Sequence, residues 1–225
     1  MKKLLVCTAA LSCASLTLFA DDTQDRLQES ARVFHEIMMT PDRGIPQDLV
    51  DKAYCIVIVP SLKKAAFVVG GEYGKGFAVC RSGRAMGWGA PAAVIVEGGS
   101  FGFQIGGSST DVVMLIRNAH GMRMLDRDKF TLGADASIAA GPVGRTAAAS
   151  SDASMNAEIL SWSRTKGVFA GVALNGASIR PDRDGNEHLY GQKLNSAEIL
   201  MKPMQPPAAA QPLIADLDHY SWRKS

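Results

Sequence analysis

The chain is poor in the residues that mark metal, redox and nucleic-acid chemistry. Only 4 cysteines and 4 histidines occur in 225 residues. No Cys-x-x-Cys exists, and His35, His120, His188 and His219 stand too far apart for ligand pairs, so a metal centre has no sequence support. No sign of charge dominates: 24 basic residues face 22 acidic ones, which speaks against a general nucleic-acid binder. Aromatics are scarce at 7%, but the 47% hydrophobic share is ordinary for a globular protein and excludes disorder of the whole chain. Glycine is what the chain has in plenty. All 22 glycines lie between Gly44 and Gly191, and 12 fall between Gly70 and Gly107. They keep no three-residue period, so collagen is excluded, and tight β structure with close backbone approaches is expected.

The amino terminus reads as a targeting segment. Lys2 and Lys3 precede the uncharged, mostly apolar run of 17 residues from Leu4 to Ala20, and Asp21-Asp22 open a polar chain. This is the pattern of a signal peptide over residues 1–20, with cleavage near Ala20; the run is short for a membrane-spanning helix. A lipid-modified Cys13 is the lesser alternative, since no leucine stands three residues before it. Removal of the leader leaves 22 basic and 22 acidic groups and two cysteines, Cys55 and Cys80. In an exported protein these can form one disulfide, or they can pack as two buried thiols; geometry decides.

Residues 23–39 predict an amphipathic helix, with Leu27, Ala31, Phe34 and Met38 in one stripe and Val33 and Ile37 widening it. Its polar face carries Asp25, Arg26, Glu29, Arg32 and Glu36, a balance that favours core packing over a membrane surface. A short helix is expected over Pro46–Ala53. Strands follow at Tyr54–Val59, which Pro60-Ser61 should end, then at Ala65–Gly70, Gly76–Arg81, Ala92–Glu97 and Phe101–Ile105. Thr110 reads as the cap of a helix over Val112–Arg117. Further strands are expected at 131–140, 145–150, 157–164 and 168–179, and a short helix at Ser196–Met201. Pro203, Pro206, Pro207 and Pro212 with intervening alanines read as a tail over residues 203–225.

Catalytic and cofactor templates fail in turn. Gly98-Gly99-Ser100-Phe101-Gly102 has the spacing of a nucleophile elbow, but a strand rather than a helix is expected after Ser100. Gly87-Trp88-Gly89-Ala90-Pro91-Ala92 lacks the following helix that a dinucleotide would need, and Gly141–Thr146 lacks Walker spacing. Asp182-Arg183-Asp184-Gly185-Asn186 places glycine too early for a calcium loop. The sequence therefore predicts no enzyme, no catalytic residue, no metal and no cofactor. What remains is a charge feature: Lys63, Lys64, Lys75, Arg81 and Arg84 against Glu72 alone. Such a cluster either attracts anionic headgroups or forms a solvated rim that keeps a sheet edge soluble.

Six stretches in order resemble the SYLF domain family. They are Cys55-Ile56-Val57-Ile58-Val59-Pro60 with Lys64 and Phe67; Gly87-Trp88-Gly89-Ala90-Pro91; Gly133-Ala134-Asp135 through Gly141-Pro142-Val143-Gly144-Arg145; Lys166-Gly167-Val168-Phe169-Ala170-Gly171; Leu189-Tyr190-Gly191; and Glu198-Ile199-Leu200. The resemblance spans about residues 27–201. It implies a lipid-binding domain whose eukaryotic relatives bind phosphoinositides and, in fungal endocytic adaptors, actin, and it carries no catalytic residues. For an exported bacterial-type member, anionic phospholipid at a periplasmic or envelope membrane surface is the implied partner. Arg145 and Lys166, within the family-like motifs, join Lys63, Lys64, Lys75, Arg81 and Arg84 as expected lipid-binding residues.

The expected architecture is α+β: a large, mostly antiparallel, glycine-rich sheet or partial barrel covered by several short helices, occupying residues 21–202. The expected function is a non-enzymatic lipid-binding module of the cell envelope. The alternative is a protein-interaction or structural module that self-associates or binds a protein partner through a strand edge or the proline tail.

Overall fold

The computed structural model describes residues 18–40, 44–67, 69–81, 87–101, 106–143, 156–165 and 167–221. The helices are α1 (Leu18–Met39), α2 (Gln47–Lys52), α3 (Ala119–Met124), α4 (Arg183–Tyr190), α5 (Ser196–Leu200) and α6 (Gln211–Ser221). The strands are β1 (Cys55–Phe67), β2 (Val69–Cys80), β3 (Ala92–Phe101), β4 (Gly106–Ile116), β5 (Phe130–Thr131), β6 (Ile138–Ala140), β7 (Ile159–Thr165), β8 (Val168–Gly171) and β9 (Ser178–Pro181). They form one sheet in the order β5-β9-β3-β2-β1-β4-β7-β6, with β8 paired to β7. Every pairing between named strands is antiparallel except β6 with β7. The α+β architecture expected from the sequence is the one observed.

The sheet is curled for a covalent reason. β5 and β6 occupy opposite ends of the strand order but are joined by residues 132–137 alone. Laid flat, eight strands at about 4.8 Å spacing would part those edges by about 34 Å. The chain from Thr131 to Ile138 reaches about 25 Å at most. The sheet therefore closes part-way into a barrel, and the Leu132 N–H extends the β5–β9 pairing by donating to Ala177 O at 2.8 Å.

Both faces of the sheet are buried, which explains the unbroken apolar run at Cys55–Val59. Ile56 and Ile58 point to a core with Leu27, Phe34 and Ile37 of α1 and Leu213 and Leu217 of α6. Cys55, Val57 and Val59 point the other way, to Phe130, Leu132, Ile179, Ile199 and Leu200. Cys55 and Cys80 are directly opposite across β1 and β2 and are joined in a disulfide.

The structure departs from the sequence reading at several places. The single strands expected at 131–140 and 168–179 are each broken, into β5 and β6 and into β8 and β9. Residues 112–116 are strand β4 rather than helix: Val112 through Ile116 are all buried, and the strand is paired on both sides, with β1 and with β7. Pro60-Ser61 does not end β1 but lies within a bulge, where both neighbouring registers slip. Residues 203–221 fold on the domain. Met204 packs on the second core, Ala209 and Ala210 on the first, and α6 follows with Leu213, Ile214, Leu217 and Ser221 buried. Of the remaining expectations, the signal peptide falls on residues 1–17, outside those described, and on the start of α1; residues 102–105 of the strand expected at Phe101–Ile105 and the strand at 145–150 also lie outside.

Candidate functional site

The bulge in β1 lines a cleft on the α1 side. Ser61 has φ +55°, the single positive value for a non-glycine among the described residues. Its N–H donates to Asp111 Oδ1 at 2.9 Å, and Asp111 Oδ2 in turn accepts from Arg164 Nε at 2.7 Å. Arg164 also pairs with Glu36 of α1 and lies 5.4 Å over the Phe169 ring. Burial pushes the Asp111 carboxyl above its usual range, opposed by the Ser61 N–H. This chain of contacts ties α1, β1, β4 and β7 together behind the bulge. On the β2 side the bulge is accommodated by glycine. A Cβ on Gly74 would lie 2.8 Å from both Leu62 and Val59 side chains.

The cleft encloses about 460 Å³ between Asp25, Arg26 and Glu29 of α1 and Lys63, Tyr73 and Lys75 of the sheet. Lys63 and Tyr73 are register partners and both are exposed. Lys75 is held differently: its Nζ lies 2.8 Å from Oδ2 of Asp182, whose side chain is buried and whose other oxygen accepts the Gly185 N–H at the start of α4. A second cleft of about 620 Å³ adjoins the first across Tyr73 and Lys75 and includes Arg180, Asp182 and Arg183. Glu97 on its margin is held below the usual carboxylate range by Lys129 at 3.0 Å and Arg180 at 3.2 Å.

The expected cations are thus distributed unevenly. Lys63 and Lys75 share the α1 side. Lys64 points to the opposite face, with Nζ 2.9 Å from Glu72 Oε2. Arg81 is six residues beyond Lys75, about 20 Å along the strand. Its guanidinium donates to the Ala53 and Val50 carbonyls at 3.1 and 3.2 Å and lies 4.4 Å over the Trp88 ring. It braces α2 against the loop before β3 rather than joining the cleft. Arg84, Arg145 and Lys166 lie outside the described residues. Sequence reasoning missed Tyr73, Arg26 and Asp182 as parts of this site. Tyr73 carried a readable signal, a lone aromatic inside a glycine run; the meeting of Lys75 with Asp182 carried none.

Ser100 lies within β3 opposite Gly70, so the strand-to-helix turn of a nucleophile elbow is not formed there. Among the described residues, no three His, Cys, Asp or Glu side chains gather as a metal site, and no helix is long and apolar enough to cross a membrane.

Comparison with known proteins places this architecture in a family. The family model described as "Ysc84: Las17-binding protein actin regulator" matches residues 97–220, from β3 through α6. The SH3 domain-containing protein PJ696.02 of Schizosaccharomyces pombe is 39% identical over 172 residues, 75% of this chain and 40% of that protein. LAS seventeen-binding protein 3 of Saccharomyces cerevisiae is 33% identical over 180 residues, 79% of this chain and 39% of its own length. SH3 domain-containing YSC84-like protein 1 of Homo sapiens is 30% identical over 182 residues, 80% and 53% of the two chains. The chain therefore spans about two fifths to one half of these relatives. With just over half its length matched by the family model, the chain belongs to the Ysc84 family, whose common unit is the SYLF domain.

Proposed function

We propose that this chain is a non-enzymatic lipid-binding module, exported by the leader at residues 1–20 to the cell envelope, that engages anionic phospholipid headgroups through the β1–β2 cations. The observation that carries this reading is Lys63. Among the described residues it makes no ion pair, it is exposed, and it shares an open cleft with Tyr73 and Lys75. A lysine near an anionic surface contributes about 1 kcal/mol, and its ammonium has three donors for phosphate oxygens. Lys64 remains 40% exposed beside Glu72, so its ammonium has donors to spare.

Co-sedimentation with cardiolipin-rich and with neutral vesicles tests the proposal. Binding should favour the anionic vesicles, fall with salt, and weaken about fivefold in Lys63→Gln. Equal binding to both vesicle types, or a salt-independent preference, sinks the electrostatic reading.

A second reading is that the module binds a protein. The family description as Las17-binding and the name of LAS seventeen-binding protein 3 favour it. Self-association is the version testable on this chain alone: light scattering on the purified protein should report a mass above the 23.9 kDa monomer and rising with concentration. A monomer at every concentration removes it.

A further inference from the structure

We infer that the cleft between α1 and the β1 bulge selects, among anionic headgroups, a phosphodiester of a hydroxyl-bearing alcohol, with the phosphate on Lys63 and the hydroxyls on Asp25. The inference rests on the lipid-binding reading above and names the headgroup chemistry of that same cleft. Most of the charged groups around the cleft already have partners. Glu29 is taken by Arg32, whose Nε donates to Oε2 at 2.9 Å and whose Nη2 pairs with Oε1. Lys75 is held by Asp182 at 2.8 Å. Arg26 has contacts of its own. Asp25, Lys63 and Tyr73 are left. All three are exposed, and among the described residues their side chains make no ion pair and no hydrogen bond.

The three differ in what they ask of an occupant. An ionised aspartate only accepts hydrogen bonds, an ammonium only donates them, and a phenol does both. Lys63 and Tyr73 stand side by side as register partners on β1 and β2, while Asp25 lines the cleft from α1. An occupant that satisfies them all needs an oxyanion at the sheet wall and a donor at the helix wall. A phosphate monoester offers mainly acceptors and sets further negative charge against Asp25. An ammonium is a stronger donor, but in a phosphoethanolamine head it cancels the charge that the reading above requires. The hydroxyls of a glycerol-type alcohol supply donors and leave the charge of the phosphodiester intact. The Tyr73 ring, 45% exposed, offers their carbon skeleton an apolar surface beside its own hydroxyl. The cleft of about 460 Å³ falls within the range of about 300–1,000 Å³ usual for small-ligand sites.

The test uses the purified chain and phosphatidylcholine vesicles carrying equal mole fractions of phosphatidylglycerol, phosphatidylethanol or phosphatidylserine. Each of these lipids bears one net negative charge, so bulk attraction is matched, and phosphatidylethanol lacks headgroup hydroxyls. Phosphatidylglycerol should bind about fivefold more tightly than phosphatidylethanol. Asp25→Ala should bind the two alike and keep the parent's thermal melt, because Asp25 is exposed and unpaired among the described residues. A carboxylate that merely repels predicts something else, a uniform gain in binding to all three when it is removed. Equal binding of phosphatidylglycerol and phosphatidylethanol by the wild type, or a preference that persists in Asp25→Ala, overturns the inference and leaves the headgroup reading standing. Tightest binding to phosphatidylserine assigns Asp25 to an ammonium and overturns it as well. Binding no better than to phosphatidylcholine alone removes both. Soluble glycerophosphoglycerol separates a lipid from a free ligand: it should release the chain from phosphatidylglycerol vesicles only in large excess, and release at amounts equal to the accessible lipid overturns the lipid source.

Discussion

Trp88 Nε1 donates to Ser221 Oγ at 2.8 Å and to Leu217 O at 3.2 Å, so the indole before β3 holds the last turn of the C-terminal helix. Asp218 adds an acceptor for the Trp88 N–H at 3.2 Å. Residues that read as a proline-rich tail are therefore a structural part of the domain. Leu213 and Leu217 are fully buried against α1 and the sheet. Leu217→Ala should cost about 2–5 kcal/mol, read as a lower urea midpoint at unchanged slope. An unchanged midpoint would show that α6 adds nothing to the fold.

The bond between Cys55 and Cys80 closes a loop with a sequence separation of 25 around the β1–β2 hairpin. Both residues are buried. Constraint of the unfolded chain by a loop of this size is worth about 3 kcal/mol. The double variant Cys55→Ala, Cys80→Ala should lose about that amount in chemical denaturation, with the same far-ultraviolet dichroism as the parent. Equal stability of the two proteins would mean that packing in the second core, rather than the cross-link, secures this end of the sheet.

How far the fold was legible depends on how local its causes are. The stripe of α1, the run at Cys55–Val59 and the short helix expected at Ser196–Met201 are each written within a few residues, and each was readable. β4 was not. Thr110-Asp111 followed by Val112 looks like a capped helix, and only pairing with β1 on one side and β7 on the other makes it a strand. Pro60 survives inside β1 because the bulge accommodates it. The site followed the same division. Lys63, Lys64 and Lys75 were visible as charge, but the Asp182 that neutralises Lys75 stands 107 residues later. Arg81 was indistinguishable in sequence from a surface cation until its carbonyl partners were in place.

Glu158 gathers the loop before α3 and the start of β6. Its Oε1 accepts from Asn118 Nδ2 at 3.1 Å and contacts His120 Nδ1 at 2.7 Å, while Oε2 accepts the Ser137 N–H at 3.1 Å. Burial raises its pKa, but these partners, the Ser137 N–H foremost, outweigh burial and hold it below the usual glutamate value. A carboxylate depressed on folding stabilises fully above its unfolded pKa, and that stabilisation fades as pH falls through the folded value. Glu158→Gln should therefore cost about 1 kcal/mol at neutral pH, a small figure because solvent screens the group. The gap to wild type should narrow below about pH 4. Denaturation curves across pH give the comparison, and a gap that is constant with pH removes the carboxylate from this role.

Two glycines of the same sheet should respond oppositely to one added methyl group. At Gly76, a Cβ would overlap Ile58 O and crowd Val59 Cα at 2.8 Å, because β2 passes tightly over the bulge of β1 there. Both neighbours are backbone within paired strands, so neither can swing aside, and the bulge that sets Ser61 beside the cleft would have to shift. Gly76→Ala should destabilise the protein by about 2–4 kcal/mol and weaken vesicle binding with it. At Gly99 a Cβ meets open space, and alanine there reduces the freedom of the unfolded chain without a clash. Gly99→Ala should leave stability unchanged or raise it by up to about 1 kcal/mol. Thermal melts of the two variants decide the matter: a loss at Gly99 as large as that at Gly76 would mean that the exposed stretch of β3 at Gly99 is packed against something.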